Sequence, residues 1–303
     1  SARLERGGGA SGGGACVLTM RGQVRDKGGL HFVVCAALTA ERRGKGGGGD
    51  GGGAYLAVDG ASCVARGASA TTVVLAIVSS FREDDPGASC ARVVRRAAAL
   101  PYDALRAAHV EAHAELYDRV DFALGEGQRQ AARGGAGIGG EEAPALLTTP
   151  ELLRRATDVS KGAPGGAETQ RAARLLAAQY FAFGRYVTIA ASRGDRGAAQ
   201  PMNLQGIWAE GLDPAWGSDY HLNINLQMTY WAADSVALAE CVAPLSRWLT
   251  TLARGGAGQR AARLYYGPQR HDDAWVAHGF TDLWLGSGLL GQAQWALCPV
   301  CGA

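Results

Sequence analysis

Apolar side chains alternate with other residues along the first part of the chain. They recur at every second position between residues 30 and 38, and residues 71–81 are rich in β-branched side chains. A period of two is typical of strands that are buried on one face. We therefore predict an antiparallel meander over residues 16–81, with a turn at 26–29 and a flexible hairpin loop in the glycine-rich segment 44–53.

From Pro86 onward the apolar spacing changes to three and four residues, which is typical of helices with one packed face. Helices are predicted in five places: after Pro86, from Thr149-Pro150, along residues 170–192, from about Leu226 to Glu240, and from Pro244. The glycine- and alanine-rich segments 125–146 and 161–167 are interpreted as linkers or insertions. The second half of the chain is thus expected to be all-helical.

Residues 200–231 are much denser in amide, aromatic and other hydrogen-bonding side chains than the rest of the chain. Polar and apolar residues alternate over positions 221–226. In an extended backbone, His221, Asn223 and Asn225 would line one side while the apolar residues between them anchor the other. We expect a short extended segment leading into a helix. Amides that both donate and accept hydrogen bonds suit a sugar or a fixed water; the alternative is that they form buried caps or turns.

Composition narrows the functional classes only slightly. The chain has 30 Lys and Arg against 28 Asp and Glu, a net charge of +2 that gives no reason to expect a nucleic-acid partner. No apolar run approaches the roughly 18–20 residues needed to cross a bilayer, so no membrane partner is expected. Seven cysteines, an odd number spread widely, do not predict a disulfide framework. The cellular compartment is left open.

Two residue spacings are compatible with metal binding. His109 and His113 lie four residues apart on a predicted helix, and Cys298 and Cys301 lie three apart near the end of the sequence. No third ligand is evident beside the histidines, and no second cysteine pair follows. Surface or packing roles are the better interpretation, and neither a metal nor a cofactor is expected.

Several blocks, in this order, resemble glycoside hydrolase family 95, which comprises 1,2-α-L-fucosidases and some α-L-galactosidases. They are PYDALRAAHVEAHAELYDRV, FGRYVTIAASR at 183–193, the dense block at 200–245, AWVAHGFTDLW at 274–284, and the final GQAQWALCPVCGA. The resemblance implies an α+β multidomain chain. Its expected parts are the end of an antiparallel β-sandwich at 1–85, a helical linker at 86–165, and the first part of an (α/α)6 barrel catalytic domain at 166–303.

The family hydrolyses glycosidic bonds with inversion, so the resemblance implies removal of terminal α-L-fucose from a fucosylated oligosaccharide or glycan. The two asparagines that position the attacking water in the family fall on Asn223 and Asn225. His221 matches a histidine that contacts fucose in bacterial members. Further substrate-binding candidates are Trp216, His278 and Trp284.

The same resemblance places the two ionisable catalytic groups outside the chain. In the family a general-acid glutamate follows shortly after the equivalent of Gly302-Ala303, and the base, an aspartate, lies much further along. The chain is therefore expected to be a piece of a hydrolase with little or no turnover alone. Asp282 is interpreted as a structural cap, and not as the base.

The sequence also departs from the family around His278, where a second histidine and an asparagine are missing before Thr281-Asp282. Two alternatives therefore stay open beside a fucosidase. One is an α-L-galactosidase of the same family, whose substrate differs by one hydroxymethyl group. The other is a non-catalytic carbohydrate-binding or scaffold protein derived from such an enzyme.

Overall fold

The computed structural model describes residues 2–6, 16–24, 29–41, 55–59, 62–81, 83–124, 147–160, 166–194, 199–211, 213–267, 273–286 and 300–302. The chain divides into two compact units, Ser1–Glu111 and Ala112–Ala303. The segments predicted as a hairpin loop at 44–53 and as a linker at 125–146 lie outside the described residues, as do residues 161–165 of the second linker. The predicted three-part domain division stays a prediction.

The first unit contains a four-stranded antiparallel sheet. Its order is β1 (Ala2–Arg6), β2 (Cys16–Gln23), β3 (His31–Glu41) and β6 (Ala70–Ser79), and β4 (Tyr55–Asp59) pairs separately with β5 (Ser62–Arg66). The predicted antiparallel strands are confirmed, but the predicted meander is wrong, because β3 pairs with β6 and not with the next strand, β4. That this sheet is the end of a β-sandwich stays a prediction.

Helix α1 (Pro86–Ala98) covers one face of this sheet. Alternate residues of β3, such as Val33 and Cys35, pack against Cys90 and Val94 of the helix, and all four are buried. The helix begins where it does because the Asp85 carboxylate accepts a hydrogen bond of 2.9 Å from the Ala88 amide, and a proline follows the cap.

One cysteine pair corrects the expectation drawn from the cysteine count. Cys16 of β2 and Cys63 of β5 form a disulfide, with their Cα atoms 6.6 Å apart. The two residues are 47 positions apart, so their spacing in the sequence gave no signal. Cys35, Cys90 and Cys241 are buried and do not take part in this disulfide.

The second unit is mainly helical, with two short strand pairs. Its elements are the end of α2 (Tyr102–Tyr117), α3 (Thr149–Ser160), α4 (Ala167–Ser192), β7 (Tyr220–His221), α5 (Asn225–Tyr230), α6 (Ala243–Arg254), α7 (Ala257–Tyr266), β8 (Trp275–Ala277), β9 (Phe280–Thr281) and β10 (Val300–Gly302). Strand β7 pairs with β9, and β8 pairs with β10. Across the described residues, no helix combines the length and apolar character that crossing a membrane requires.

The long helices of this unit agree with the sequence pattern. The helices predicted from Thr149-Pro150, along 170–192 and from Pro244 are confirmed as α3, α4 and α6. Trp248 and Leu252 are buried on one face of α6, as the spacing predicted.

The helix predicted from Leu226 to Glu240 is wrong in length. It ends at Tyr230 and gives way to turns and a 3-10 turn at Ala239–Val242. Ala237 has a φ of 55°, which a right-handed helix cannot contain. The Leu238 amide instead donates to the Ala233 carbonyl at 2.8 Å.

Two arginines from the block at 183–193 fasten α4 to the C-terminal turn of α2. Arg185 is buried and donates to the backbone carbonyls of Leu116, Tyr117 and Val120. The Leu116 and Tyr117 carbonyls need such donors because the last turn of a helix leaves its carbonyls without intrahelical partners. Arg193 pairs with the Glu115 carboxylate at 2.8 Å. This block therefore has a structural role, which is to position the end of α4.

Candidate functional site

The polar stretch at residues 200–231 and the stretch at 274–284 meet on a short antiparallel ribbon, formed by β7 and β9. Tyr220 pairs with Thr281 and His221 with Phe280, and the Leu222 amide extends the pairing by donating to the Gly279 carbonyl at 2.8 Å. The ribbon thus brings together two stretches that are far apart in the sequence. The sequence singled out both stretches but did not predict that they pair.

The ribbon has one buried face and one partly open face. Tyr220, Leu222 and Thr281 are buried. Alternate residues, including His221 and Asp219, are partly exposed, as are Phe280 and Asp282. The predicted alternation of polar and apolar sides therefore holds at this point, and it extends back to Asp219.

The extended backbone ends sooner than the pattern predicted. Residues 222–224 form a turn and α5 begins at Asn225, so Ile224 is exposed and does not anchor the segment as expected. Leu222 and Leu226 are both buried instead. They lie four residues apart, a spacing that places side chains on the same side of a helical turn.

Asn223 and Asn225 are exposed at the start of α5. Neither side-chain amide hydrogen-bonds to another described residue, and the Asn225 backbone carbonyl accepts a bond from Thr229 Oγ1 at 2.9 Å. Neither residue is therefore a buried cap, although Asn223 lies within the turn at residues 222–224. Both amides are free to bind water or a ligand.

A buried hydroxyl network holds the end of α5 in place. The Tyr230 hydroxyl lies 2.8 Å from Ser192 Oγ and accepts a bond of 2.8 Å from the Met202 amide. Since Ser192 Oγ donates to the Cys241 carbonyl at 2.8 Å, the proton between the two hydroxyls belongs to Tyr230. Burial raises the pKa of Tyr230, against a smaller lowering by its bonds to Ser192 and Met202. Sequence reasoning missed this network because isolated hydroxyl residues follow no pattern.

His221 lies against a carboxylate. Its Nε2 is 2.7 Å from Asp219 Oδ1, and the imidazole ring meets the rings of Phe280 at 4.5 Å and Trp216 at 6.2 Å, both edge to face. Burial raises the pKa of Asp219, His221 lowers it, and Asp282 raises it. Sequence reasoning did not select Asp219, although its position two residues before His221 could have suggested it.

Trp216 is 77% exposed and stands on an unusual turn. Its φ is 57°, and Gly217 and Ser218 follow with φ values of 68° and 50°. A side chain at positive φ is uncommon and costs free energy, and such positions concentrate at functional sites. The turn presents the indole next to His221.

Asp282 holds the turn that carries Trp284. Its Oδ1 accepts hydrogen bonds from the Trp284 amide at 2.9 Å and the Gly286 amide at 2.8 Å. The interpretation of Asp282 as a structural cap is confirmed. Trp284 itself is about half exposed.

His278 occupies a different environment from the other candidates. It is 1% exposed and lies among aromatic rings of α7: its ring centroid is 5.0 Å from that of Tyr265, and its Nε2 is 3.4 Å from the Tyr266 hydroxyl. The structure therefore does not present His278 at the surface with Trp216 and Trp284. A contact between His278 and a sugar stays a prediction.

An apolar cavity of about 140 Å³ lies on the inner side of the ribbon. It is lined by Leu222, Leu226, Gln227, Leu245, Leu249, Trp275 and Ala277. None of the predicted site residues lines it. Among the described residues, no three His, Cys, Asp or Glu side chains are grouped so that they could hold a metal ion.

Two curated proteins are similar to this chain in sequence. "Probable alpha-fucosidase A" of Aspergillus niger is 31% identical over 226 residues, which make up 74% of this chain and 24% of that protein. "Alpha-L-fucosidase 2" of Arabidopsis thaliana is 30% identical over 220 residues, or 72% of this chain and 22% of that protein. The chain thus spans about a quarter of the length of these relatives.

The catalytic domain of glycosyl hydrolase family 95 matches residues 101–303. This match contains both polar motifs and the ribbon that they form, and it begins within the segment predicted to be a helical linker. It covers more than half of the chain, and it confirms the resemblance drawn from the sequence blocks. The chain belongs to glycosyl hydrolase family 95.

Proposed function

We propose that this chain carries the water-positioning part of an inverting α-L-fucosidase. The observation that carries the proposal is the pair of exposed amides at Asn223 and Asn225, neither of which is bonded to another described side chain or backbone group. Both relatives described above bear the name of an α-fucosidase. The proposed substrate is a terminal α-L-fucose on an oligosaccharide or glycan.

The chemistry of inversion explains why amides serve this purpose. An inverting glycosidase leaves a gap of about 6.5–9.5 Å between its acid and its base, and the attacking water occupies that gap. An amide oxygen can accept a hydrogen bond from the water, and an amide N–H can donate one to the water oxygen. Because amides are neutral, they orient the water without changing the pKa of the base as an added charge would.

Three aromatic side chains are the proposed sugar contacts. His221 offers a ring nitrogen to a hydroxyl, and Trp216 and Trp284 offer exposed apolar rings to a face of the pyranose. The helices of the second unit form the first part of an (α/α)6 barrel in this proposal. Support comes from the succession of amphipathic helices α4, α6 and α7 and from the family match.

A non-catalytic carbohydrate-binding protein is the second candidate. The observation that favours it is His278, which stands alone where the family has a second histidine and an asparagine, and which is buried among tyrosines. Such a protein would bind fucosides without hydrolysing them.

Release of fucose from a 2′-fucosyllactose-type substrate distinguishes these functions. We would compare this chain with the full-length product of its gene, and would assay an α-L-galactoside in parallel. We expect the full-length protein to release fucose and this chain to show little or no turnover. Fucoside binding without turnover by the full-length protein would contradict the proposal and support the second candidate. Preferential release of galactose would assign the galactosidase alternative.

A further inference from the structure

Asp219 and His221 are alternate residues on the partly open face of the ribbon. The Asp219 Oδ1 atom lies 2.7 Å from His221 Nε2, and the side chains of the two residues are 31% and 12% exposed. At this distance an unprotonated ring nitrogen and a carboxylate oxygen would repel each other. The proton of the imidazole therefore lies on Nε2, next to the carboxylate.

The orientation of the His221 imidazole leaves one oxygen of the Asp219 carboxylate without a hydrogen bond among the described residues. Asp219 Oδ1 is buried, and the direction of the ring N–H falls outside that of a hydrogen bond, so Oδ1 has no hydrogen-bond partner among the described residues. The backbone of Asp219 is fixed separately, because its carbonyl accepts from the Leu204 amide at 3.3 Å.

Two aromatic rings pack against the His221 imidazole, and its Nδ1 atom makes no hydrogen bond to the described residues. Phe280 and Trp216 meet the ring edge to face. The Nδ1 atom makes no hydrogen bond to the described residues and is not among the fully buried atoms that lack one. With its proton on Nε2, a neutral His221 offers Nδ1 as an acceptor.

We propose that Asp219 is a positioning residue: it fixes the tautomer and the orientation of His221, so that Nδ1 accepts a hydrogen bond from a hydroxyl of the bound sugar. This inference rests on the proposed function, in which His221 contacts fucose. Asp219 itself touches no sugar in this account. It acts through the imidazole.

The free-energy cost of a carboxylate at position 219 supports a functional role for Asp219. Burial raises the pKa of Asp219, and the neighbouring Asp282 raises it further, against the lowering by His221. Asp282 accepts hydrogen bonds from the backbone amides of Trp284 and Gly286. It does not offset the cost of burying the Asp219 carboxylate. A partly buried carboxylate near a second one is unfavourable for folding, and groups of this kind concentrate at functional sites.

The first test reads the imidazole directly and does not depend on activity. In the full-length protein labelled with ¹⁵N-histidine, the two ring nitrogens of His221 report its tautomer, and the spectrum of His221→Gln identifies its signals. We expect a protonated Nε2 in the wild type and in Asp219→Asn, whose amide oxygen can replace Oδ1. We expect mixed tautomers in Asp219→Ala. Unchanged shifts in Asp219→Ala would overturn the proposal.

The second test reads the consequence for the substrate. With a fucoside, Asp219→Ala should raise KM about tenfold with kcat within about threefold of wild type, because a positioned hydrogen bond to the sugar is lost. Asp219→Asn should recover most of that loss. Asp213→Ala is the matched control and should match the wild type. Asp213 is an exposed carboxylate of the same stretch, and it makes no hydrogen bond or ion pair with the described residues.

The two tests separate the inference from the proposed function. If the wild-type protein cleaves no fucoside but the His221 tautomer still depends on Asp219, the proposed function fails and the positioning of His221 stands. If fucose is released but Asp219→Ala has the wild-type KM, the proposed function stands and the inference is wrong. If Asp219 had a purely structural role, Asp219→Ala would lower the stability of the protein without changing the KM of the folded molecules.

Discussion

The Tyr230 hydroxyl and Ser192 Oγ lie 2.8 Å apart in the interior of the second unit. This contact joins the last residue of α5 to the last residue of α4, and the Met202 amide and Cys241 carbonyl complete it. The start of α5, with its exposed Asn225, is thereby fixed relative to α4. The site depends on this buried network although no member of it reaches the surface.

Removing the Tyr230 hydroxyl should destabilise the protein. In Tyr230→Phe the Met202 amide loses its acceptor inside the core, and we expect the free energy of unfolding to fall by about 1–3 kcal/mol. Urea denaturation measures this change. Tyr180→Phe is the control, because Tyr180 is 77% exposed and should change stability by less than about 0.5 kcal/mol. Equal stabilities of the two variants would show that the network contributes nothing.

The backbone strain at Trp216 predicts that stability and substrate binding can be separated. Both Trp216→Gly and Trp216→Ala remove the indole and should raise KM for a fucoside. Only glycine relieves the positive φ, so the glycine variant should be more stable than the alanine variant by about 1 kcal/mol. Thermal unfolding and steady-state kinetics on the two variants check this. Alanine as stable as glycine would indicate that the turn is unstrained.

Asn223→Gly and Asn225→Gly should each lower kcat in the full-length protein by about 10²–10³-fold, because each removes a preorganised group that orients the attacking water. KM should change little. Thr229→Ala is a matched control on the same helix: Thr229 is exposed and bonds only to the Asn225 backbone carbonyl. A loss confined to KM would assign the amides to sugar binding and not to the water.

Asp219→Asn should stabilise the protein at neutral pH. The pKa of Asp219 is raised in the folded state by burial and by Asp282, with His221 opposing. The Asp219 carboxyl therefore contributes to stability at pH values below its pKa in the unfolded chain, which is about 3.9. This contribution is lost as the pH rises through the pKa of Asp219 in the folded protein. The advantage of the variant should shrink as the pH falls toward about 4. Urea denaturation across this range measures it, and a less stable variant at pH 7 would contradict the expected direction.

The long elements could be predicted from the sequence, whereas the local geometry of the site could not. Helices α4 and α6 carry repeated apolar spacings over several turns, and the sheet strands carry a clear alternation. These patterns identify the type of element but not its buried face. In β3 the buried residues are Val33, Cys35 and Ala37, and not the alternating apolar residues 30–38. In α4 Tyr180 and Phe183 are exposed, whereas Arg185 is buried.

The pairing of β7 with β9 could not be predicted from the spacing of apolar residues. Each strand has only two residues, and their pairing depends on two segments meeting in space. Alternation over residues 221–226 predicted an extended run, but helix α5 begins within it, and the period changes from two to about 3.6. After α5 ends at Tyr230, Ala237 adopts a positive φ, and alanine gives no sign of that conformation.

The anomeric form of the first sugar released tests the central claim most directly. Proton NMR of a 2′-fucosyllactose digest by the full-length protein distinguishes the two anomers before they interconvert. The account predicts that β-L-fucose appears first, as inversion requires, and that Asn223→Gly and Asn225→Gly nearly abolish its release. Initial release of α-L-fucose, or undiminished release by both variants, would contradict the assignment of the asparagine pair to a water in an inverting reaction.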